Sequence, residues 1–412
     1  MSESSMPKSM DQIKFTWKGR EMEGVVISTK EEMINIKLPS GYNIYVKPEK
    51  FEITGKVRFT GKKIQSGSKS DDQSISVIST GGTIASRVDY KTGAVFPSMD
   101  MEDLTSRFRY MNTRRNLRNV DFSNILSENM EPQNWIDLAR VIQKELARSE
   151  GVVVTHGTDT MTYTSSALSF LFESQTGPII LTGSQRSSDR PSSDSYLNLE
   201  ASVAFASEKM GEVGICMHKN TSDEKIQLIR GTRARKMHST RRDAFRSIGT
   251  DPLGIFEEGL TNLTSGIRQA GEENIINTKL EKKVGLIYFY PGLETETLEK
   301  FMDGKKGIVI MGTGLGHIAV KYLEILKERI SDEMKVMTTT QCIFGTVNLD
   351  VYSTGRRMKD AGIVWCGNML PETAYVKMMY VLGNYGNEDF ERIMNTNLRG
   401  EIVQNEQMEA FP

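Results

Sequence analysis

One segment of the chain, VISTGGTIAS at residues 77–86, ends an apolar run in two glycines with a threonine on each side. Gly81 and Gly82 allow a tight turn and a close approach of the backbone to a ligand. Thr80 and Thr83 would then hold hydroxyl groups beside exposed backbone N–H groups, which can stabilise an oxyanion. A threonine placed in this way could attack a carbonyl carbon, although a structural turn capped by threonine would have the same tetrapeptide.

A second segment, VVVTHGTDTM at residues 152–161, again ends a buried strand in polar residues. Thr158, Asp159 and Thr160 are all of the types that cap helices, so the segment alone is compatible with a structural role. A hydroxyl beside a carboxylate also provides one group that relays a proton and another that holds an amino group or orients a lysine. Two Gly-Thr clusters at the ends of separate strands therefore favour a catalytic site.

Lys236 lies in the basic segment GTRARKMHSTRRDAF at residues 231–245. Neighbouring positive charge and removal from water both favour an uncharged amine, which can act as a base toward a hydroxyl. Most lysines in such a segment are simply solvated, and spacing alone does not select this one. Lys236 is therefore a candidate base that only its surroundings in the fold can distinguish.

The two Gly-Thr clusters require a framework that brings strand ends together. From residue 75 to 270, and again from 280 to 412, Val- and Ile-rich segments alternate with helical patterns. This alternation predicts two successive parallel-sheet α/β domains, each sheet covered on both faces, with the catalytic residues in the first and a smaller second domain. Ligands of such sheets bind beyond the carboxyl ends of the strands, where both clusters fall.

The N-terminal residues 1–60 have a different pattern, with short alternating segments such as IKFTW, GVVIS and MINIKL. Period-two alternation and a PSG turn signal before Tyr42 predict a small β-barrel-like domain. Residues 61–74 are rich in Lys, Ser, Gly and Asp without hydrophobic periodicity, which is the composition of a linker.

Composition narrows the classes of function. A formal net charge of −1 over 412 residues argues against a protein held to nucleic acid or membrane by overall charge. Three cysteines without CxxC spacing are typical of a reducing compartment, and the four histidines lack the spacing of metal ligands. The N-terminal MSESSMPKSM has no apolar segment of the signal-peptide type, so we expect a cytoplasmic protein.

The motifs TGGTIA and HGTDT, followed by a lysine well downstream, resemble the L-asparaginase/glutaminase amidohydrolase family from about residue 75 onward. The resemblance implies that Thr83 is the nucleophile. It also implies a second catalytic set made of Thr158, Asp159 and Lys236.

The same resemblance implies how a substrate is held. Ser127 and Glu128, in the segment LSENM, would help bind its α-carboxylate and α-amino group. Tyr90, in SRVDYKTG, would belong to a mobile loop that closes over the bound amino acid and assists Thr83.

The β-rich extension and the segments IASRVDYKTGAV and RKMHSTRRDAF resemble one archaeal branch of that family, the glutaminase components of tRNA-dependent amidotransferases. This implies hydrolysis of glutamine to glutamate and ammonia. A partner, the kinase/transamidase (E) subunit of the amidotransferase, would use the ammonia and ATP to convert Glu-tRNA(Gln) to Gln-tRNA(Gln).

The branch also implies a homodimer inside a heterotetramer that contains two copies of each of the two chains. No metal or organic cofactor is implied for this chain, and ATP and Mg²⁺ would be bound by the partner. The alternative is a free-standing cytoplasmic L-asparaginase, because glutamine and asparagine differ by one methylene, worth only ~1–3 kcal/mol in a pocket.

Overall fold

The structure, a computed structural model, confirms the predicted fold class of two α/β domains preceded by a β-rich region. It describes residues 6–8, 11–30, 32–38, 43–56, 74–81, 86–88, 95–97, 116–187, 192–331 and 333–404. The predicted linker at residues 61–74 lies outside these ranges except for Ser74, which begins a strand.

The N-terminal strands form one antiparallel sheet with the order β4-β3-β2-β1-β5. Its alternating apolar residues, including Ile13, Phe15 and Ile36, are buried in a core of their own. Lys37 pairs with Asn43 across the predicted hairpin, whose turn residues lie outside the described ranges. The strands are β1 (Asp11–Trp17), β2 (Arg20–Lys30), β3 (Met33–Lys37), β4 (Asn43–Val46) and β5 (Lys50–Lys56).

The first α/β domain is built on an eight-stranded sheet with the order β18-β17-β14-β13-β12-β10-β6-β9. Its strands are β6 (Ser74–Ser79), β9 (Asn116–Asp121), β10 (Gly151–Thr155), β12 (Ile179–Thr182), β13 (Val213–His218), β14 (Lys225–Arg230), β17 (Gly254–Glu257) and β18 (Leu260–Leu263). Within the described residues, three two-stranded sheets accompany it, formed by β7 (Ser86–Val88) with β8 (Val95–Pro97), β11 (Phe172–Ser174) with β19 (Ile275–Ile276), and β15 (Ala234–Lys236) with β16 (Phe245–Ser247).

Helices cover both faces of this sheet, as predicted. Val152 and Val154 of β10 join one hydrophobic cluster with α1 (Pro132–Leu146) and α2 (Met161–Leu171). Val153, which points to the opposite face, joins a second cluster with α3 (Ser195–Ala206). A strand buried on both faces has no polar side to expose, which explains the unbroken run of valines.

The sheet is not parallel throughout. Strands β9, β6, β10, β12 and β13 are parallel, whereas β14, β17 and β18 extend the sheet in antiparallel fashion. Only residues 219–224 connect β13 to β14, and a parallel crossover needs about a dozen residues or more. The alternation of apolar segments predicted the parallel part and contained no sign of this antiparallel flank.

The second α/β domain has a four-stranded parallel sheet with the order β20-β21-β22-β23. Its long helix α7 (Pro371–Asn384) packs against α2 of the first domain, and both helices contribute to one hydrophobic cluster. The elements are β20 (Val284–Tyr288), α4 (Thr295–Met302), β21 (Gly307–Gly312), α5 (Leu323–Ser331), β22 (Lys335–Thr340), α6 (Ser353–Asp360), β23 (Val364–Trp365), α7 (Pro371–Asn384) and α8 (Phe390–Met394).

Helix α1 shows how local residues determine an element behind the site. Pro132 occupies the first helical position, and Glu131 forms a reciprocal capping box with Asn134. Trp135, Leu138 and Ile142 follow at helical spacing and are buried against the sheet. Across the described ranges, no helix has the length and apolar character that a membrane span requires.

A close backbone approach provides a test of the packing. A methyl group on Gly151 would overlap the carbonyl oxygen of Ala206 at the end of α3. We expect Gly151→Ala to lower the free energy of unfolding by about 1–3 kcal/mol, because the core cannot absorb the added atom without moving the backbone. Denaturant unfolding followed by circular dichroism measures this.

Gly386→Ala is the matched control, since a methyl group there meets no atom within 4 Å and the φ angle of −71° suits alanine. Unfolding midpoints equal to wild type for both variants would contradict the close contact between β10 and α3.

Candidate functional site

The two Gly-Thr clusters leave the same edge of the main sheet. Strands β6 and β10 are parallel neighbours, and their last residues, Ser79 and Thr155, pair with each other. Gly81 follows at a φ angle of +105°, and a methyl group on it would lie 2.9 Å from the carbonyl oxygen of Ile125. Both the positive φ angle and the close contact require glycine at position 81.

Thr80 has a structural role in this turn. Its side chain is fully buried, and its hydroxyl donates to the carbonyl oxygen of Thr155 at 2.9 Å. The sequence suggested that this hydroxyl faces exposed N–H groups, and the structure instead ties it to the neighbouring strand. The predicted residues Thr83 and Tyr90 lie outside the described residues.

Thr158, Asp159 and Lys236 form one hydrogen-bonded group. The Nζ of Lys236 donates to Thr158 Oγ1 at 2.9 Å and to Asp159 Oδ1 at 2.7 Å. Thr158 is buried and Lys236 exposes 14% of its side chain, whereas Asp159 exposes 69%. The three residues predicted as a second catalytic set are thus within hydrogen-bonding distance, although about 77 residues of chain separate Asp159 from Lys236.

The arginines around Lys236 in the sequence do not surround its amine in space. Arg233 donates to the carbonyl oxygens of Ile248 and Asn368, Arg235 pairs with Glu372, Arg241 with Asp243, and Arg242 with Asp223. The charged group next to the Lys236 amine is instead the carboxylate of Asp159. The arrangement of these arginines therefore does not support the expectation that neighbouring positive charges act on the Lys236 amine.

Ser127 and Glu128 lie close to the HGTDT turn, on a 3-10 helix spanning Ser127–Asn129. The hydroxyl of Thr160 donates to the carbonyl oxygen of Ser127 at 2.6 Å. A methyl group on Gly157 would lie 2.7 Å from Ser127 Cβ, so glycine permits this approach. Ser127 is buried and Glu128 is exposed, which leaves a carboxylate accessible at the rim of the site.

His156 stabilises the turn through hydrogen bonds at both ring nitrogens. Its Nδ1 lies 2.7 Å from the carbonyl oxygen of Gly157, and its Nε2 lies 2.9 Å from the hydroxyl of Thr164. The indole N–H of Trp135 donates to the same hydroxyl, so Thr164 can donate in turn to Nε2 of a neutral imidazole. Burial lowers the pKa of His156 to about 4.

Two further residues belong to the site by position. Thr160 anchors the segment that carries Ser127, and Ser184 follows β12 with a buried hydroxyl that has no hydrogen-bond partner among the described residues. Thr158 Cγ2 lies 3.1 Å from the place a methyl group on Gly183 would occupy, so the β12 exit adjoins Thr158. In the sequence, the segment TGSQ indicates Ser184, because it is a third strand end that contains glycine.

No group of potential metal ligands occurs among the residues that the structure describes.

Comparisons with known proteins agree with this geometry. Residues 74–268 match the family model described as asparaginase, N-terminal, and residues 283–395 match the glutaminase/asparaginase C-terminal domain. The five-stranded N-terminal sheet precedes both matched regions.

Similar curated proteins extend over nearly the whole chain. The D subunit of glutamyl-tRNA(Gln) amidotransferase from Thermoplasma volcanium is 46% identical over 96% of this chain and 98% of its own. The protein of the same name from Pyrococcus furiosus is 42% identical over 93% of this chain and 91% of its own. The thermostable L-asparaginase from Thermococcus kodakarensis is a similar solved structure, with a TM-score of 0.74, 30% identity, and coverage of 81% of this chain and 100% of its own.

The buried histidine makes stability depend on pH. An unfolded histidine titrates near pH 6.5, so between pH 6.5 and about 4 the unfolded chain binds a proton that native His156 does not. Stability therefore rises with pH in this window and is lost as the pH falls through it. We expect His156 to contribute about 3 kcal/mol to that loss, since a pKa difference of one between the folded and unfolded chain corresponds to about 1.4 kcal/mol.

Denaturant unfolding at several pH values tests this expectation. His156→Gln should show a smaller loss of unfolding free energy between pH 6.5 and 4.5 than wild type. His238→Gln, which changes an exposed histidine, should keep the wild-type slope. Parallel curves for wild type and His156→Gln would rule out a neutral buried imidazole.

Proposed function

Because the chain belongs to the glutaminase/asparaginase family and, within it, to the group of glutamyl-tRNA(Gln) amidotransferase D subunits, we propose that it is the glutaminase component of a tRNA-dependent amidotransferase. In this role it hydrolyses glutamine to glutamate and ammonia. The observation that carries the proposal is the Lys236–Thr158–Asp159 group at the strand exits of an asparaginase-type fold.

Full-length similarity supports the amidotransferase branch over a free-standing L-asparaginase. The two amidotransferase relatives align with 93–96% of this chain. The Thermococcus kodakarensis L-asparaginase aligns over its whole length with only 81% of this chain. The part of the chain before residue 74, which holds the five-stranded sheet, lies outside the asparaginase family models. Similarity in fold to L-asparaginases therefore does not account for the additional N-terminal sheet.

Substrate binding uses the residues around the HGTDT turn. Ser127 and Glu128 hold the α-carboxylate and α-amino group of glutamine together with Asp159, whose exposed carboxylate can accept from an ammonium group. Tyr90 closes over the bound amino acid. The side-chain amide then lies between Thr83 and Thr158.

The first chemical step is attack of Thr83 Oγ on the amide carbon. Backbone N–H groups of the glycine-containing turns stabilise the tetrahedral oxyanion, and its collapse expels ammonia after the leaving nitrogen takes up the proton that the Thr83 hydroxyl gives up. The product of this step is a glutamyl ester of Thr83. Water then attacks the ester carbon, which releases glutamate and restores the hydroxyl.

Thr158 activates that water with the help of Lys236. Thr158 Oγ1 takes a proton from the attacking water while its own hydroxyl proton passes to the departing Thr83 Oγ. The Lys236 Nζ donates to Thr158 Oγ1, so it stabilises the negative charge that develops on this oxygen during the relay. Asp159 fixes the direction of the amine from the other side. The same three residues also suit a direct route, in which Thr158 activates water for attack on the amide without an ester.

The partner chemistry follows from the branch. We propose that the ammonia passes to the kinase/transamidase subunit, which binds ATP and Mg²⁺ and converts Glu-tRNA(Gln) to Gln-tRNA(Gln). The complex is a heterotetramer built on a homodimer of this chain and acts in the cytoplasm. No cofactor is needed in this chain for the hydrolysis described.

Removal of the proposed catalytic groups tests the mechanism. Thr83→Ala and Thr158→Ala should each lower kcat for ammonia release by several orders of magnitude, and Lys236→Met by at least about 10²-fold. Lys225→Met is the matched control, because Lys225 forms an exposed ion pair with Glu257 on the outer part of the sheet. Retention of wild-type kcat in any of the three site variants would remove that residue from the mechanism.

The choice between the two functions is tested with substrates and partner. Ammonia release from glutamine and from asparagine is measured for the chain alone and with the kinase/transamidase subunit, ATP and Glu-tRNA(Gln). We expect glutamine to be preferred and its hydrolysis to rise when the complete complex is present. Efficient hydrolysis of asparagine that does not respond to the complex would identify a free-standing asparaginase instead.

A further inference from the structure

The strand that carries Lys236 lies outside the main sheets. β15 pairs with β16 in a separate two-stranded sheet, with Lys236 opposite Phe245. The position of Lys236 is therefore not fixed by the ladder of the eight-stranded sheet. It depends on the contacts of β15 and of the residues that lead into it.

Two helices hold the residues that lead into β15. The hydroxyl of Ser165 in α2 donates to the carbonyl oxygen of Gly231 at 2.8 Å. The hydroxyl of Thr373 in α7 donates to the carbonyl oxygen of Thr232 at 2.9 Å. Since α2 belongs to the first domain and α7 to the second, hydrogen bonds from both domains hold the residues that lead into β15.

Residues 395–404, which we call the C-terminal segment, also form hydrogen bonds with the residues that lead into β15. Thr232 donates its hydroxyl to the carbonyl oxygen of Arg399 at 3.0 Å. Arg233 is fully buried, and its guanidinium donates to the carbonyl oxygens of Glu401 at 3.2 Å, Asn368 at 2.7 Å and Ile248 at 2.7 Å. One side chain thus connects the C-terminal segment, the second domain and the end of β16.

A buried ion pair fixes the C-terminal segment itself. Lys377 of α7 and Glu401 lie 2.6 Å apart, and both side chains are fully buried. The Glu401 carboxylate also accepts the backbone N–H groups of Leu398 and Arg399, and the Lys377 amine donates to the carbonyl oxygens of Met394 and Thr396. Because the charges are enclosed and hydrogen-bonded on both sides, removal of one partner leaves the other without compensation.

We propose that the C-terminal segment is a clamp that positions Lys236, and that Arg233 and Glu401 are positioning residues for the reaction. The proposal rests on the proposed function, in which Lys236 is a catalytic residue. Almost all of the segment lies beyond residue 395, where the match to the glutaminase/asparaginase C-terminal model ends.

The physical requirement behind the clamp is the double contact of the Lys236 amine. Its Nζ must reach Thr158 Oγ1 and Asp159 Oδ1 at once, at 2.9 and 2.7 Å. Only two residues separate Arg233 from Lys236, so a shift of Arg233 moves the amine. A displacement of about 1 Å from the productive geometry can cost a factor of about 10² in rate.

The test compares Arg233→Lys and Glu401→Gln with wild type in glutamine hydrolysis. We expect kcat to fall at least about tenfold in both, while KM changes less than about twofold, because Ser127 and Glu128 lie on another element. Asp389→Asn is the matched control, since it breaks the exposed ion pair with Arg392 near the same end of the chain. It should leave kcat unchanged.

A double variant separates positioning from stability. Lys377→Met with Glu401→Leu replaces the buried pair by apolar groups, so its melting temperature should recover relative to Glu401→Gln. Its kcat should stay low, because no carboxylate then holds the N–H groups of Leu398 and Arg399. Recovery of kcat together with stability, or wild-type kcat in the single variants, would overturn the clamp.

Amide hydrogen exchange of residues 231–236 tests the clamp independently of activity. Exchange should be faster than wild type in Glu401→Gln and in the double variant, and unchanged in Asp389→Asn. Unchanged exchange in both clamp variants would overturn the inference. Absence of amide hydrolysis by the wild-type protein, alone and in the complete complex, would instead refute the proposed function and leave the exchange result to decide on the clamp.

Discussion

The site depends on one amine shared by a hydroxyl and a carboxylate. The Lys236 Nζ joins Thr158 and Asp159, which follow β10, to a strand that begins about 80 residues later in the chain. Residues so far apart in the sequence form a hydrogen bond only if the elements that carry them are each held in place. The parallel strands position Thr158 and Asp159, and the two-stranded sheet of β15 and β16 positions Lys236.

The two ends of this hydrogen bond are supported by different physical means. Thr158 follows a strand buried on both faces, and the turn that carries it is held by the hydrogen bond between His156 and Gly157 and by the close packing of Gly157 against Ser127. Gly231 and Thr232, which lead into the strand of Lys236, are held through polar contacts to α2, α7 and the C-terminal segment. Burial of the strand and local hydrogen bonds therefore position the Thr158 hydroxyl, and buried hydrogen bonds to backbone carbonyls hold the chain that leads to the amine.

The sequence predicted much of this arrangement. Apolar runs and helical periodicity correctly predicted the two α/β domains, and the ends of β6 and β10 correctly directed attention to one edge of a sheet. Lys236 was different, because its own segment resembles a solvated basic surface and only the resemblance to a family selected it. The partners of Arg235, Arg242 and Arg233 come from distant parts of the chain, and no local pattern contains that information. The antiparallel flank was missed for a similar reason, since strand direction depends on the length of a connection more than on composition.

The exposure of Asp159 has a consequence for the site before and after a substrate binds. Water reaches most of this carboxylate, while the amine it faces is largely enclosed. In water the attraction between two such charges is weak and is screened by dissolved ions. A molecule that covers the carboxylate displaces this water, lowers the local dielectric constant and strengthens the attraction without moving either atom. A ligand that binds over Asp159 would thus change the electrostatics of the Lys236–Asp159 pair without changing its geometry.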